Sequence, residues 1–281
     1  MMPDRIVIGP AGPVLPRLGL GCSRLGSMLG ADAAQAARLL HHALDRGVTL
    51  FDTADIYGQG DSERLIGAAI AGRDDVTVIT KAGQCFSPMQ RLVARVKAPL
   101  RPLIRALPRL RGSVAQHRAA PLPRDYSGAH LRRAVEGSLR RLRRERIELF
   151  LLHSPSLPQL LAAEEGVALL ARLVEEGKLG GWGVSADDAA VAQAAMTLPG
   201  LAALQLPLAL APALRTALPR AEAAGTALIW REIFTGARDA AGRGAALAAA
   251  LGQGSGIALV GTTSMAHLDE ALALLPAGSR P

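Results

Sequence analysis

Aromatic side chains are scarce. They make up 3% of the 281 residues, and the only tyrosines are Tyr57 and Tyr126. A core short of rings must be built from aliphatic residues, and the 49% hydrophobic content is ample for one large core. The shortage of stacking side chains also argues against nucleic-acid binding. Cysteine is nearly absent. Cys22 and Cys85 alone cannot form a disulfide framework; they suit a reducing compartment and a structural or incidental role. No Cys or His spacing suits a four-ligand metal site, so no metal is expected. No apolar run approaches ~18 residues. The opening Met1-Met2-Pro3-Asp4-Arg5 lacks a basic region followed by an apolar core. These absences predict a cytoplasmic chain with no integral membrane segment.

Acid is missing from one stretch in particular. Residues 82–124 carry nine Lys and Arg and no Asp or Glu, which leaves the rest of a chain of net charge +8 close to neutral. Within that stretch Pro99, Pro102 and Pro108 interrupt an apolar and basic pattern. It is long for a loop, and such loops are usually functional or disordered. A lid over an acidic or phosphorylated substrate, a docking arm and a linker are the readings it leaves open.

What is present is a repeated alternation. Residues 5–8 and 14–17 flank a Gly/Pro turn and read as a hairpin. Short apolar runs follow at 18–21, 48–52, 76–80, 148–152, 180–184, 201–206, 226–230 and 257–260. Helical patterns separate them, such as the one that Asp32 opens and Gly47 closes. Eight strands alternating with helices predict a (β/α)₈ TIM barrel with an N-terminal β-hairpin and a long basic insert, 84–126, after strand three. The whole chain, 1–281, reads as one such domain. A doubly wound sheet would want a glycine fingerprint after the first strand, and Gly19-Leu20-Gly21-Cys22-Ser23-Arg24 fails at its sixth position.

In such a barrel the C-terminal strand ends share one mouth. Asp52, Lys81 and His153 stand at the ends of three successive strands, and Tyr57 lies five residues beyond Asp52. Together they suit proton transfer to a carbonyl oxygen. An isolated phenol titrates near about 10, an adjacent ammonium lowers that value, a carboxylate holds the ammonium, and an imidazole orients the carbonyl. Trp182 reads as core; Trp230 could be core or mouth. Arg231 could meet a phosphate or pair with Glu232. The amides of Gly261-Thr262-Thr263 precede the last helix and suit an anion.

These residues resemble the aldo-keto reductase superfamily. The matching pieces, in order, are Asp52-Thr53-Ala54-Asp55-Ile56-Tyr57-Gly58 with Ser62-Glu63, Thr80-Lys81, Ser138-Leu139-Arg140-Arg141-Leu142, Leu151-Leu152-His153-Ser154-Pro155, Gly181-Trp182-Gly183-Val184-Ser185 and Val260-Gly261-Thr262-Thr263. The resemblance implies a barrel, NADP(H) or NAD(H) as cofactor, and interconversion of a small carbonyl compound and its alcohol. It implies Tyr57 as general acid, Lys81 and Asp52 tuning it, and His153 orienting the carbonyl. It implies Ser185, Gln205, Gly261, Thr262, Thr263 and His267 around the cofactor, and Arg231 joins them as a cofactor candidate that could replace a phosphate contact the family pattern loses. The chain departs from the family pattern at Ala186, Glu232-Ile233-Phe234 and Ala271. Two alternatives accordingly stand beside the reductase: a cofactor-impaired barrel that serves as a binding or regulatory protein, and a redox-neutral isomerase or lyase using the same site.

Overall fold

The structure is a computed structural model, described here for residues 5–8, 12–26, 30–86, 122–252 and 256–275. The tip of the hairpin turn and most of the basic insert lie outside the described residues. Strands β1 (Arg5–Val7) and β2 (Val14–Pro16) pair antiparallel, with Ile6 opposite Leu15. Eight parallel strands then close into a barrel: β3 (Leu18–Gly21), β4 (Leu50–Asp52), β5 (Thr77–Ala82), β6 (Leu149–His153), β7 (Trp182–Ser185), β8 (Ala203–Pro207), β9 (Ala227–Arg231) and β10 (Gly256–Gly261). β10 pairs with β3 to complete the ring. The expected (β/α)₈ barrel with its hairpin is therefore what forms.

The helices follow from amphipathic spacing. In α1 (Ala33–Asp45) Ala36, Leu39, Leu40, Ala43 and Leu44 are buried, a stripe at helical period facing the strands. Asp32 caps it in a capping box with Gln35. α2 (Asp61–Ala69) starts from Gly60 at its N-cap and carries Asp61 and Glu63 in its first turn. α3 (Gly128–Leu142) is capped by Ser127 and stops at Arg143, whose φ is +57°. α4 (Leu157–Leu161) is a short helix the periodicity did not foretell; it precedes α5 (Glu164–Glu175). After α6 (Ala189–Ala195) come two short helices, α7 (Ala211–Leu214) and α8 (Leu218–Ala223), with Pro212 and Pro219 each at a helix start. α9 (Ala240–Gly252) and α10 (Met265–Ala273) complete the ring. Among the described residues no helix is long and apolar enough to cross a membrane.

Two cores result. The larger lies between strands and helices and holds both Trp182 and Trp230. The smaller fills the barrel with Leu50, Ile79, Leu149, Leu151, Ala203, Ala227, Ile229, Ile257 and Leu259, and the hairpin side adds Ile8 and Leu15 to it. Each large aliphatic side chain so buried stabilises the fold by about 1.5–3 kcal/mol.

Candidate active site

Side chains along a strand alternate faces. Leu50 points into the barrel, so Asp52 does too; Ile79 is followed by Lys81, Leu151 by His153, Ala203 by Gln205, and Ile229 by Arg231. The pairing register aligns these positions: Gly21 opposite Asp52, Lys81 opposite Leu151, His153 opposite Ser185, and Ser185 opposite Gln205. One polar layer thus crowns the apolar filling. Lys81 belongs to its strand and does not merely follow it, as the sequence suggested. The same alternation turns Trp230 outward, into the core beneath the helices.

The layer is a buried hydrogen-bond chain. The Lys81 ammonium donates to both Asp52 oxygens, at 2.8 and 2.7 Å, and to the Thr53 carbonyl at 2.9 Å. Those three bonds use all three of its protons. Gln205 Nε2 donates to Asp52 Oδ1 at 2.8 Å, and Ser185 Oγ donates to Gln205 Oε1 at 2.8 Å. Lys81 is 1% exposed and Asp52 6%. Burying such a pair is costly unless its remaining valences are satisfied, as they are here.

Tyr57 comes to this layer on a single 3₁₀ turn, Tyr57–Gln59. Gly58 has φ +57°, and a Cβ there would lie 2.9 Å from the Gly26 carbonyl carbon. Only glycine lets the two loops pack so closely, and that packing holds the phenol over the mouth. The Tyr57 and His153 rings meet edge to face, with centroids 5.6 Å apart and planes at 86°. Lys81 Nζ lies 5.3 Å from the Tyr57 ring centroid. Asp52, Tyr57, Lys81 and His153 are therefore brought together.

Burial dominates the titration of both rings. It pushes the Tyr57 phenol above its ordinary value; Lys81 opposes this, and Asp52 reinforces it. The ammonium does act downward on the phenol, as expected, but desolvation outweighs it and the net shift is upward. Burial, followed by the Lys81, Arg231 and Arg124 charges, drives His153 well below its usual range. The imidazole is neutral, and its Nδ1 has no hydrogen-bond partner among the described residues. The site thus offers a protonated phenol beside a neutral ring.

A cavity of about 500 Å³ opens over this layer, lined by Asp52, Tyr57, His153, Ser185, Gln205 and Arg231 among others, with Gly21 and Gly261 in its wall. Arg231 pairs with Asp187 and Glu232 and donates to the Ala186 carbonyl at 3.2 Å, so the ion pair foreseen with Glu232 forms at the rim. A second cavity of about 580 Å³ adjoins it; Arg24 lines both. Thr263 and Ser264 line the second cavity opposite Gln35 and Arg38 of α1. Thr262 and His267 line neither cavity: the Thr262 hydroxyl accepts from the Ser264 amide at 3.0 Å, and His267 is exposed on α10. Arg24 and Arg38 were missed in the sequence because an arginine on the polar side of an amphipathic helix or loop reads as solvated.

Other motif residues serve the scaffold. Glu63, fully buried, accepts from Thr80 at 2.7 Å and from Arg141 at 2.5 Å. Ser62 donates to the Cys22 carbonyl at 3.1 Å and accepts from Thr53 at 2.8 Å. These bonds tie α2 and α3 to the strands that carry Asp52 and Lys81.

Comparison with known proteins bears on the family and the fold. The model of the Aldo/keto reductase family matches residues 17–229. The chain belongs to the aldo/keto reductase family. A curated relative, the 6-dehydroglucose reductase of Novosphingobium aromaticivorans, is 30% identical over 184 residues, 63% of this chain and 50% of that protein. The chain thus spans about half the length of the curated relative it matches. A solved structure from Pseudomonas aeruginosa, provisionally assigned as an aldo-keto reductase, superposes with a TM-score of 0.73 at 27% identity, covering 96% of this chain and 94% of that one. An aldo-keto reductase from Klebsiella pneumoniae, solved with NADPH, gives a TM-score of 0.68 at 25% identity, covering 99% and 92%.

Proposed function

We propose that this chain is an NADP(H)-dependent oxidoreductase that interconverts an aldehyde or ketone and its alcohol, with Tyr57 as general acid and base. The observation that carries this reading is the edge-to-face Tyr57–His153 pair at the cavity floor, set beside the sealed Lys81–Asp52 ion pair. The residues fit a dinucleotide. Two adjoining cavities share Arg24, which suits an elongated anionic molecule, and the second is flanked by Arg38 and the start of α10, where backbone amides favour phosphate. When bound, the nicotinamide supplies the hydride.

The chain's own residues supply the proton and the geometry. A phenol held above its ordinary value keeps its proton until a carbonyl oxygen gains charge, and then delivers it from Oη. The neutral His153 ring offers one N–H donor to orient that oxygen. Lys81, with its protons committed to Asp52 and Thr53, acts on Tyr57 through its charge, not as a proton relay. Asp52 and Gln205 fix the ammonium, so little reorganisation is needed as charge develops.

The cavity rim mixes Ser23, Asp187, Arg231, Glu232 and Thr235 with Ile233 and Phe234. Such a rim suits a small hydroxylated carbonyl compound, the class for which the Novosphingobium relative is named. The test is a fluorescence titration with NADPH and NADH, followed by turnover on a panel of sugar-type aldehydes and ketones. Saturable binding with net NADPH oxidation is expected. Failure to bind either cofactor at millimolar concentration would sink the reductase in favour of a binding protein. Product formed with no net NADPH change would show redox-neutral chemistry instead.

A further inference from the structure

Cys85 and its surroundings take no part in the proton site. The two ends of the insert meet in a short stem: Gln84 and Arg124 form an antiparallel bridge, the Cys85 amide donates to the Pro123 carbonyl at 2.7 Å, and the Asp125 amide donates to the Gly83 carbonyl at 2.8 Å. This stem presses Cys85 against the first turn of α3. There His130 Nε2 lies 3.7 Å from Cys85 Sγ. On the other side of the same ring, His130 Nδ1 lies 3.8 Å from Asp125 Oδ2. Asp125 is itself fixed, because its Oδ1 accepts from the Ser127 amide at 2.9 Å. Burial works against its charge, but the Ser127 groups, His130 and Arg133 hold the carboxyl below its ordinary value.

Thiol, imidazole and carboxylate in that order are a nucleophile, a base and a group that orients the base. We propose that Cys85 is a nucleophilic modification site, with His130 as its base and Asp125 orienting the imidazole, that captures α,β-unsaturated carbonyl compounds. The thiol proton passes to His130 Nε2. The sulfur forms a bond to the β-carbon of the electrophile while its C=C π bond breaks, and the α-carbon takes a proton from the imidazolium. Nothing is oxidised and nothing leaves.

Three further features bear on it. Cys85 is half-buried, whereas Cys22 is sealed in the core, where burial pushes its thiol up. The Gly83 carbonyl also lies near Cys85 Sγ, at 3.9 Å. Tyr126 separates the cluster from the reductive site: it packs against Gly83, and its hydroxyl donates to the His153 carbonyl at 2.7 Å. The cluster thus borders the catalytic layer without sharing a residue with it.

N-ethylmaleimide, itself an α,β-unsaturated dicarbonyl, tests this on the full chain. Peptide mass spectrometry would follow Cys85 and Cys22 separately at pH 6.5, in competition with glutathione. Cys85 should react about ten-fold faster than glutathione, with Cys22 unmodified. His130→Gln should slow Cys85 about ten-fold while Cys22 stays protected, which reports that the fold is intact. Asp125→Asn should slow it by a smaller factor. A wild-type rate at or below that of glutathione would overturn the proposal, as would an unchanged rate in His130→Gln. Should His130→Gln expose Cys22, the wild-type ratio and Asp125→Asn decide: a slow wild type or an unaffected Asp125→Asn rejects it. None of these readouts depends on reductase activity.

Discussion

The lower and upper halves of the barrel interior are built by the same strands and behave as opposites. Below, Leu50, Ile79, Leu149 and Ile229 fill the space with aliphatic atoms, and the hairpin adds Ile8 and Leu15. Two residues further along β4, β5 and β9 stand Asp52, Lys81 and Arg231, with His153, Ser185 and Gln205 completing the upper layer. The lower half is held by non-directional burial, and its cost of substitution follows volume. The upper half is held by directional bonds among buried charges, and its cost follows unpaired groups. The difference teaches where stability and chemistry separate: the apolar half supplies the free energy that lets a desolvated ion pair persist in the polar half.

Substitutions can break that separation, and the largest effect is expected at Lys81. Lys81→Met leaves the buried Asp52 carboxylate with Gln205 as its remaining side-chain donor among the described residues, which should cost about 3–5 kcal/mol of stability. Reductase turnover should also fall roughly 10²–10³-fold. Denaturant unfolding and NADPH-coupled assays measure the two. A double variant, Lys81→Met with Asp52→Leu, should regain stability and not activity. Next is Leu149→Ala in the lower half. A loss of about 2–5 kcal/mol is expected, with turnover per folded molecule nearly unchanged. Equal damage to activity would show that the two halves are one unit.

A smaller and pH-dependent effect is expected at Asp55. Burial, with Glu63 adding and Arg141 opposing, raises its carboxyl to about 8 from an ordinary 3.8. Its Oδ1 has no hydrogen-bond partner among the described residues. Between those values the folded chain holds a proton that the unfolded chain has released. Stability therefore falls as pH rises across that window. Asp55→Asn, which mimics the protonated acid, should raise Tm relative to wild type at pH 8 and change it little at pH 4. A gain that does not grow with pH would show that this carboxyl is ionised in the fold.

The sequence made the lower half and the strand order legible because eight apolar runs are bounded by turn residues. It made the upper layer legible as well, since strand ends are easily marked and Asp52, Lys81 and His153 stand on consecutive barrel strands. Other features were hidden for physical reasons. The spent protons of Lys81 depend on a backbone carbonyl, Thr53, which no pattern announces. The outward turn of Trp230 follows from a phase set by Ile229, which is read only once the inward face is known. The second cavity is made by helix α1 meeting the turn before α10, more than 200 residues apart. Cys85 and His130 are separated by the insert and meet only because its two ends pair.

The most direct test of the central claim is single-turnover reduction by Tyr57→Phe loaded with NADPH. The ring, its contact with His153 and the Lys81–Asp52 pair should all survive the loss of one oxygen. The account predicts cofactor binding within about two-fold of wild type and carbonyl reduction lowered by roughly 10²–10⁴-fold. Reduction at the wild-type rate would contradict it, because the proton would then come from another group.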